Sequence, residues 1–201
     1  MSITVMATAP TQEMSQFRFP RQGEWTYEHW PNFPDDGWKH EIIDGVLYLM
    51  PPPAIFHQDT SAELFVAMRS YAKLHGLGKV LAAPCAVKLP GQPVPVEPDI
   101  LFVKTARQSI IESTQIKGVP DLIVEILSPS NANYDRTTKF KLYQQEGVPE
   151  CWLVDYRAKT IELFVLVENS YQLMGKYRGN EIVTSTQLPG FQIVAETIFT
   201  F

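Results

Sequence analysis

The order of apolar patterns along the chain predicts a mixed α/β (α+β) fold, a mixed central sheet flanked by helices. Two short runs, DLIVEIL and ECWLVD, are apolar on both faces, as strands buried in the middle of a sheet are. Two segments with apolar residues at helical spacing precede them, one before each strand group. A pair of apolar runs around Asp44-Gly45 comes first and reads as a tight hairpin.

Taken in order, residues 1–22 are polar with scattered Met, Thr and Gln, and read as a flexible arm. They lack the charged start and continuous apolar stretch of a secretory signal. Residues 23–201 are expected to form one domain, the default for a chain of 201 residues. In HEIIDGVLYLM the Asp44-Gly45 pair suits a turn that needs positive φ at both central positions, and Pro51-Pro52-Pro53 stops the second strand. A helix is predicted over 55–75, with Leu64, Met68, Tyr71 and Leu74 as its apolar stripe and Gly76 and Gly78 beyond its end. Strands follow over 79–89 and 96–103, separated by LPGQPVP, then a short helix over 105–115. After the strand at 121–127, Ser128 and Ser130 are placed to cap a helix over about 133–146 that Gly147 closes. The strand at 150–155, a hairpin around Glu168-Asn169-Ser170 and a last strand near Phe191 and Ile193 complete the order.

Composition narrows the class. Hydrophobic residues make up 45% and charged residues 19%, which is ordinary for a globular protein. No apolar run approaches the ~20 residues that cross a bilayer, so no membrane partner is expected. Cys85 and Cys151 have no metal-type spacing and read as reduced thiols, which points to the cytoplasm. A net charge of −5 and dispersed lysines and arginines argue against tight non-specific nucleic-acid binding, while leaving room for a local basic groove. A phosphate-binding glycine loop, a zinc spacing and a Gly-x-Ser-x-Gly elbow are all missing from the sequence. Trp152 reads as core, and the tryptophans form no evident base-stacking platform.

Chemistry concentrates on a few residues. Glu125 interrupts an otherwise apolar strand, and a buried carboxylate is costly unless it is neutralised, hydrogen-bonded or bound to a metal. Asp99 is a second acid in the strand-like VEPDILFV. If both strands are central, the two acids meet at one end of the sheet, and two hard oxygen carriers suit Mg²⁺ or Mn²⁺. The alternative is a strand-end acid that caps a helix or pairs with a lysine. Lys139 shares a helix face with Asp135, Leu142, Tyr143 and Glu146, with Lys141 on the opposite side toward water. It can stabilise negative charge beside the carboxylates, or simply pair with Asp135 at i, i+4. Tyr143 reads as packing. Glu41, just before the turn, is either a third carboxylate or a solvated edge acid. His57 reads as a satisfied, partly buried histidine rather than a ligand.

PDILFV, PDLIVEILSPSN and YDRTTKFKLYQQEGVPECWLVD, with EIIDG before them, resemble the Uma-two family of restriction-endonuclease-like proteins. The resemblance spans roughly residues 25–195. It implies a restriction-endonuclease-like domain of the PD-(D/E)XK nuclease superfamily, with Asp99 and Glu125 as metal ligands. In that superfamily the lysine lies two residues after the second acid; here that position is Leu127, and the resemblance moves the role to Lys139. Glu41 and His57 match positions that recur in the family. The expected function is a divalent-metal-dependent (Mg²⁺ or Mn²⁺) endonuclease acting on DNA, with a homodimer implied by the resemblance alone. A non-catalytic binding or assembly module that retains the fold is the alternative. A two-carboxylate sugar hydrolase would need a cleft with aromatic platforms, for which the sequence gives no sign.

Overall fold

Asp44 and Gly45, at φ 50° and 76°, turn the chain between β1 (Lys39–Ile43) and β2 (Val46–Met50). A Cβ at Gly45 would meet the Gly23 carbonyl, so both the turn and this close approach require glycine there. The computed structural model describes residues 20–33, 37–129 and 132–201. The arm expected over 1–22 falls outside them up to residue 19. At its end the Gln22 side-chain amide donates to the Leu47 carbonyl and accepts the Leu47 N–H. Ser130 also lies outside the described residues.

The remaining elements are α1 (Ile55–Leu74), β3 (Gly78–Ala82), β4 (Val87–Lys88), β5 (Ile100–Lys104), β6 (Ile116–Lys117) and β7 (Leu122–Leu127). After them come α2 (132–145), β8 (Glu150–Asp155), β9 (Thr160–Val167), β10 (Ser170–Tyr177), β11 (Ile182–Thr184) and β12 (Gln192–Val194). The central sheet has six strands in the order β10-β9-β8-β7-β5-β3. Only β7 and β8 run parallel within it; the other neighbours are antiparallel. The sheet is therefore mixed, with the two double-apolar strands at its centre. Among the described residues no helix is long and apolar enough to cross a membrane.

Side-chain alternation divides β7 between two cores. Leu122, Val124 and Ile126 join Trp152 and Val154 beneath α1 and the C-terminal segment that carries Val183, Phe191 and Ile198. Ile123 and Leu127 join Cys151, Leu153, Leu142 and Tyr143 on the α2 side. Each fully buried side chain of this size contributes about 1.5–3 kcal/mol relative to exposure. Glu125, between Val124 and Ile126, must then point to the α2 side.

Several local expectations change in the structure. The strand over 79–89 divides into β3 and β4 around Pro84, which has no N–H for the ladder. The strand over 96–103 starts only at Ile100, after Pro98, and Val96 makes a single bridge to Val87. The helix over 105–115 is a 3₁₀ turn, Thr105–Ile110. In α1 the buried stripe is Thr60, Leu64, Met68 and Ala72, and Leu74 is exposed. Leu74 lies about 80° off the Leu64 face at 100° per residue. Glu150 is fully buried, held by the Trp152 indole N–H at 2.7 Å, the Ser185 hydroxyl at 2.7 Å and the Thr186 amide at 2.7 Å. This ties β8 to the loop after β11, and no local pattern foretells it.

Candidate functional site

β5 and β7 pair with Ile100 opposite Val124, so one further step sets Asp99 across from Glu125. Directly opposed residues on one face of such a pair have Cβ atoms about 4.5–5.5 Å apart. Asp99 lies just before β5, where the ladder has ended. Its Oδ2 accepts the Ile126 N–H at 2.7 Å, taking the place of the missing backbone acceptor. The same oxygen is 3.4 Å from Nε2 of His57, which reaches over from α1. Burial pushes the Asp99 carboxyl up, but His57, Lys39 and Lys139 outweigh it and the net shift is downward.

Glu125 is buried on β7, an inner strand of the sheet. Its Oε1 accepts from Lys139 Nζ at 3.0 Å and from the Tyr143 hydroxyl at 2.5 Å. Burial raises its carboxyl, Lys139 opposes this, and Asp99 adds repulsion; the net direction is up. Both donors come from α2, one turn apart. That helix is not regular: Asp135–Lys139 form a π turn between Ala132–Tyr134 and Phe140–Gln145. Such turns concentrate at functional sites, where they re-aim side chains. Lys139 is fully buried and Lys141 exposed.

Glu41 comes in from the hairpin. Its Oε1 accepts the Glu97 N–H at 3.0 Å and lies 3.2 Å from Lys39 Nζ. Its Oε2 accepts the Tyr134 hydroxyl at 2.9 Å and lies 3.3 Å from Lys139 Nζ. Burial pushes this carboxyl up, yet Lys139, Lys39 and the two hydrogen bonds prevail and hold it at about 2. Its stabilising share is fully present above the ordinary 4.5 and is lost as pH falls from there through about 2. Lys139 Nζ is also 3.9 Å from Asp135 Oδ1, the longest of its three ion contacts. The i, i+4 pair thus exists, but buried inside the cluster rather than on the surface. Burial pulls the Lys139 ammonium down and the surrounding acids hold it well above the usual lysine range.

Asp135 shows the opposite balance. Burial, with repulsion from Glu125, Asp99 and Glu41, outweighs Lys139 and pushes it up to about 8. The folded state then holds a proton that the unfolded state has released, so stability falls as pH rises between 3.8 and about 8. Asp135→Asn is expected to raise the melting temperature of the metal-free protein at about pH 8 and barely at about pH 4. Thermal melts at the two pH values check this; an equal gain at both would mean that charge is not the cause.

The structure thus gathers Asp99, Glu125, Lys139 and Glu41 at one end of the sheet. Three further residues join them. Lys39 lies two residues before Glu41 on β1, and Tyr134 precedes the π turn; neither carries a local signal in the sequence. Tyr143, read as packing, packs its ring in the core and donates its hydroxyl to Glu125. His57, read as satisfied, has a buried Nδ1 without a hydrogen-bond partner among the described residues.

Three carboxylates (Glu41, Asp99, Glu125) face two ammonium groups (Lys39, Lys139), an excess of one negative charge when all are ionised, and Asp135 adds another only above about pH 8. The bonds above engage one oxygen of Asp99 and one of Glu125. Excess negative charge and hard oxygens fit a divalent cation. Among the described residues no three His, Cys, Asp or Glu side chains are grouped to hold an ion. Both oxygens of Glu41 are engaged, one by the Glu97 amide and Lys39, the other by Tyr134 and Lys139. Mg²⁺ commonly takes one or two carboxylates and fills its shell with water and phosphate, so two acids suffice.

Fold and site define a mixed α/β protein with a carboxylate–lysine cluster at the end of a six-stranded sheet. Residues 26–196 match the Uma2 family, described as "Putative restriction endonuclease", and the chain belongs to that family. The crystal structure of a "putative nuclease belonging to DUF820" from Anabaena variabilis has the same fold. It matches with a TM-score of 0.71 at 18% identity, over 87% of this chain and 97% of that one. An uncharacterized protein of Synechocystis is 26% identical over 164 residues, 81% of this chain and 84% of its own.

Proposed function

We propose that this chain is a divalent-metal-dependent endonuclease that hydrolyses DNA phosphodiester bonds, with Mg²⁺ or Mn²⁺ on Asp99 and Glu125. The observation that carries this reading is the buried cluster itself: opposed carboxylates with excess negative charge, in a member of this family. A cation bound there supplies a low-pKa water and polarises the scissile phosphate. The chain's own part is pre-organisation. Tyr143 and Lys139 fix one oxygen of Glu125, and the Ile126 amide and His57 fix one oxygen of Asp99. Glu41 and Asp135 hold Lys139 in turn. The two free thiols are in keeping with a cytoplasmic protein, and a homodimer is the assembly that the family resemblance implies.

Strand cleavage assays with Mg²⁺ and with Mn²⁺ on several substrates, with Glu125→Ala as control, test the proposal. Cleavage by the wild type alone supports it. No cleavage and no metal uptake would leave the second reading, a binding module on a nuclease fold, which the burial of Lys139 favours.

DNA binding is expected to be weak and to fall steeply with salt, because phosphate contacts release counterions and a chain of net charge −5 can spare few of them. Titrations at two or more salt concentrations check this. Tight, salt-insensitive binding would contradict it.

A further inference from the structure

The two ammonium groups of the cluster sit on the two oxygens of one carboxylate. Lys139 is 3.3 Å from Oε2 of Glu41 and Lys39 is 3.2 Å from Oε1. Their surroundings differ. The Lys139 side chain is 2% exposed and is ringed by Glu41, Glu125, Asp135 and the Tyr134 ring, 5.7 Å away. A phosphate would have to break that shell to reach it. The Lys39 side chain is 29% exposed. An ammonium has three N–H donors. Among the described residues, Lys39 gives one to the Glu97 carbonyl and one to Glu41, which leaves one for an acceptor on the solvent side.

Placement supports the difference. Lys39 and Glu41 alternate on β1 and share a face, with His40 turned the other way. Glu41 locks that face against the segment leading into β5 through the Glu97 amide. Lys39 is thereby held beside the acids without being enclosed by them. Its charge reaches Glu41, Asp99 and Glu125 alike, drawing each carboxyl downward.

We propose that Lys39, rather than Lys139, is the cation that contacts the phosphate of bound DNA at this site, and that Lys139 is a positioning residue for Glu125 and Glu41. The assignment rests on the endonuclease reading above. Its test uses the full chain, a DNA duplex, and Ca²⁺ in place of Mg²⁺ where cleavage must be suppressed.

Lys39→Gln keeps a donor for Glu41 and the Glu97 carbonyl but removes the charge. It is expected to retain the Mg²⁺-dependent melting shift while the log–log salt slope of DNA binding flattens by about one. Lys39→Arg is expected to restore the slope. In the wild type, acetic anhydride followed by mass spectrometry should modify Lys39, with DNA protecting it, and leave Lys139 unmodified throughout. This arm needs no variant, so it decides even if Lys39→Gln fails to fold. A wild type that cuts DNA, beside a Lys39→Gln that cuts equally fast with an unchanged slope, would overturn the assignment and leave the endonuclease reading intact. Lack of DNA protection at Lys39 would do the same. A wild type that takes up no divalent ion and cuts nothing would remove the endonuclease reading, and this assignment with it.

Discussion

Glu125→Gln is expected to fold as the wild type does, and to lose both strand cleavage and the rise in melting temperature that Mg²⁺ produces. The first half follows from the bonds. An amide oxygen can still accept from Lys139 and from Tyr143, which now bond Oε1 at 3.0 and 2.5 Å. Lys139 keeps Glu41 as a counter-charge and Asp135 as a neighbour. Burial and Asp99 already push the Glu125 carboxyl up, so a neutral group there relieves repulsion in the metal-free protein. The second half follows from the charge, because a carbonyl oxygen is a poor substitute for a carboxylate on Mg²⁺. At a hundredfold excess over its dissociation constant, a ligand adds about 2.7 kcal/mol of stability, and that increment should vanish. If bound Mg²⁺ contributes about 4 kcal/mol to the transition state, the rate falls about a thousandfold. Melts of both proteins with and without Mg²⁺ decide. A variant far less stable than wild type, beside a wild type indifferent to Mg²⁺, would make Glu125 an architectural residue.

Lys139→Met should cost more stability than any other single change in the cluster, about 3–5 kcal/mol at neutral pH. The methionine stem preserves the packing, so the loss isolates the charge. Without the ammonium, Glu41, Glu125 and Asp135 lose a shared partner while remaining buried. Their protons become harder to remove in the fold, so stability should recover as the pH falls toward about 5. Urea unfolding at neutral pH and near pH 5 measures both effects. Equal stability of variant and wild type at neutral pH would show that these acids are not charged together in the fold.

Local sequence rules reached much of this architecture, because much of it is local. Asp44-Gly45 demands positive φ at two successive positions, and the chain turns there. LIVEIL can only be a strand covered on both faces, and it lies between β5 and β8. Helical phase sent Lys139 inward and Lys141 to water even with a π turn between Tyr134 and Phe140. Asp99 and Glu125 stood out for a thermodynamic reason, since acids inside apolar runs need a partner.

What the sequence determined by itself was therefore the first hairpin, the two helices, the two central strands, the family, and the need of Glu125 for a partner. Which groups meet those acids was decided only by tertiary structure. Glu41 finds its partners at Glu97 and Tyr134, and Glu150 at Ser185 and Thr186, across sequence separations of 56, 93, 35 and 36. Lys39 on the same strand and Lys139 on a separate helix reach the same carboxylate, and nothing in their neighbours along the chain says that one is enclosed and the other open. Periodicity fixes the direction of a side chain relative to its own element. The distance to a charge on another element depends on how sheet, hairpin and helix pack, and in a low-dielectric interior that distance sets whether a charge is held, neutralised or left for a ligand.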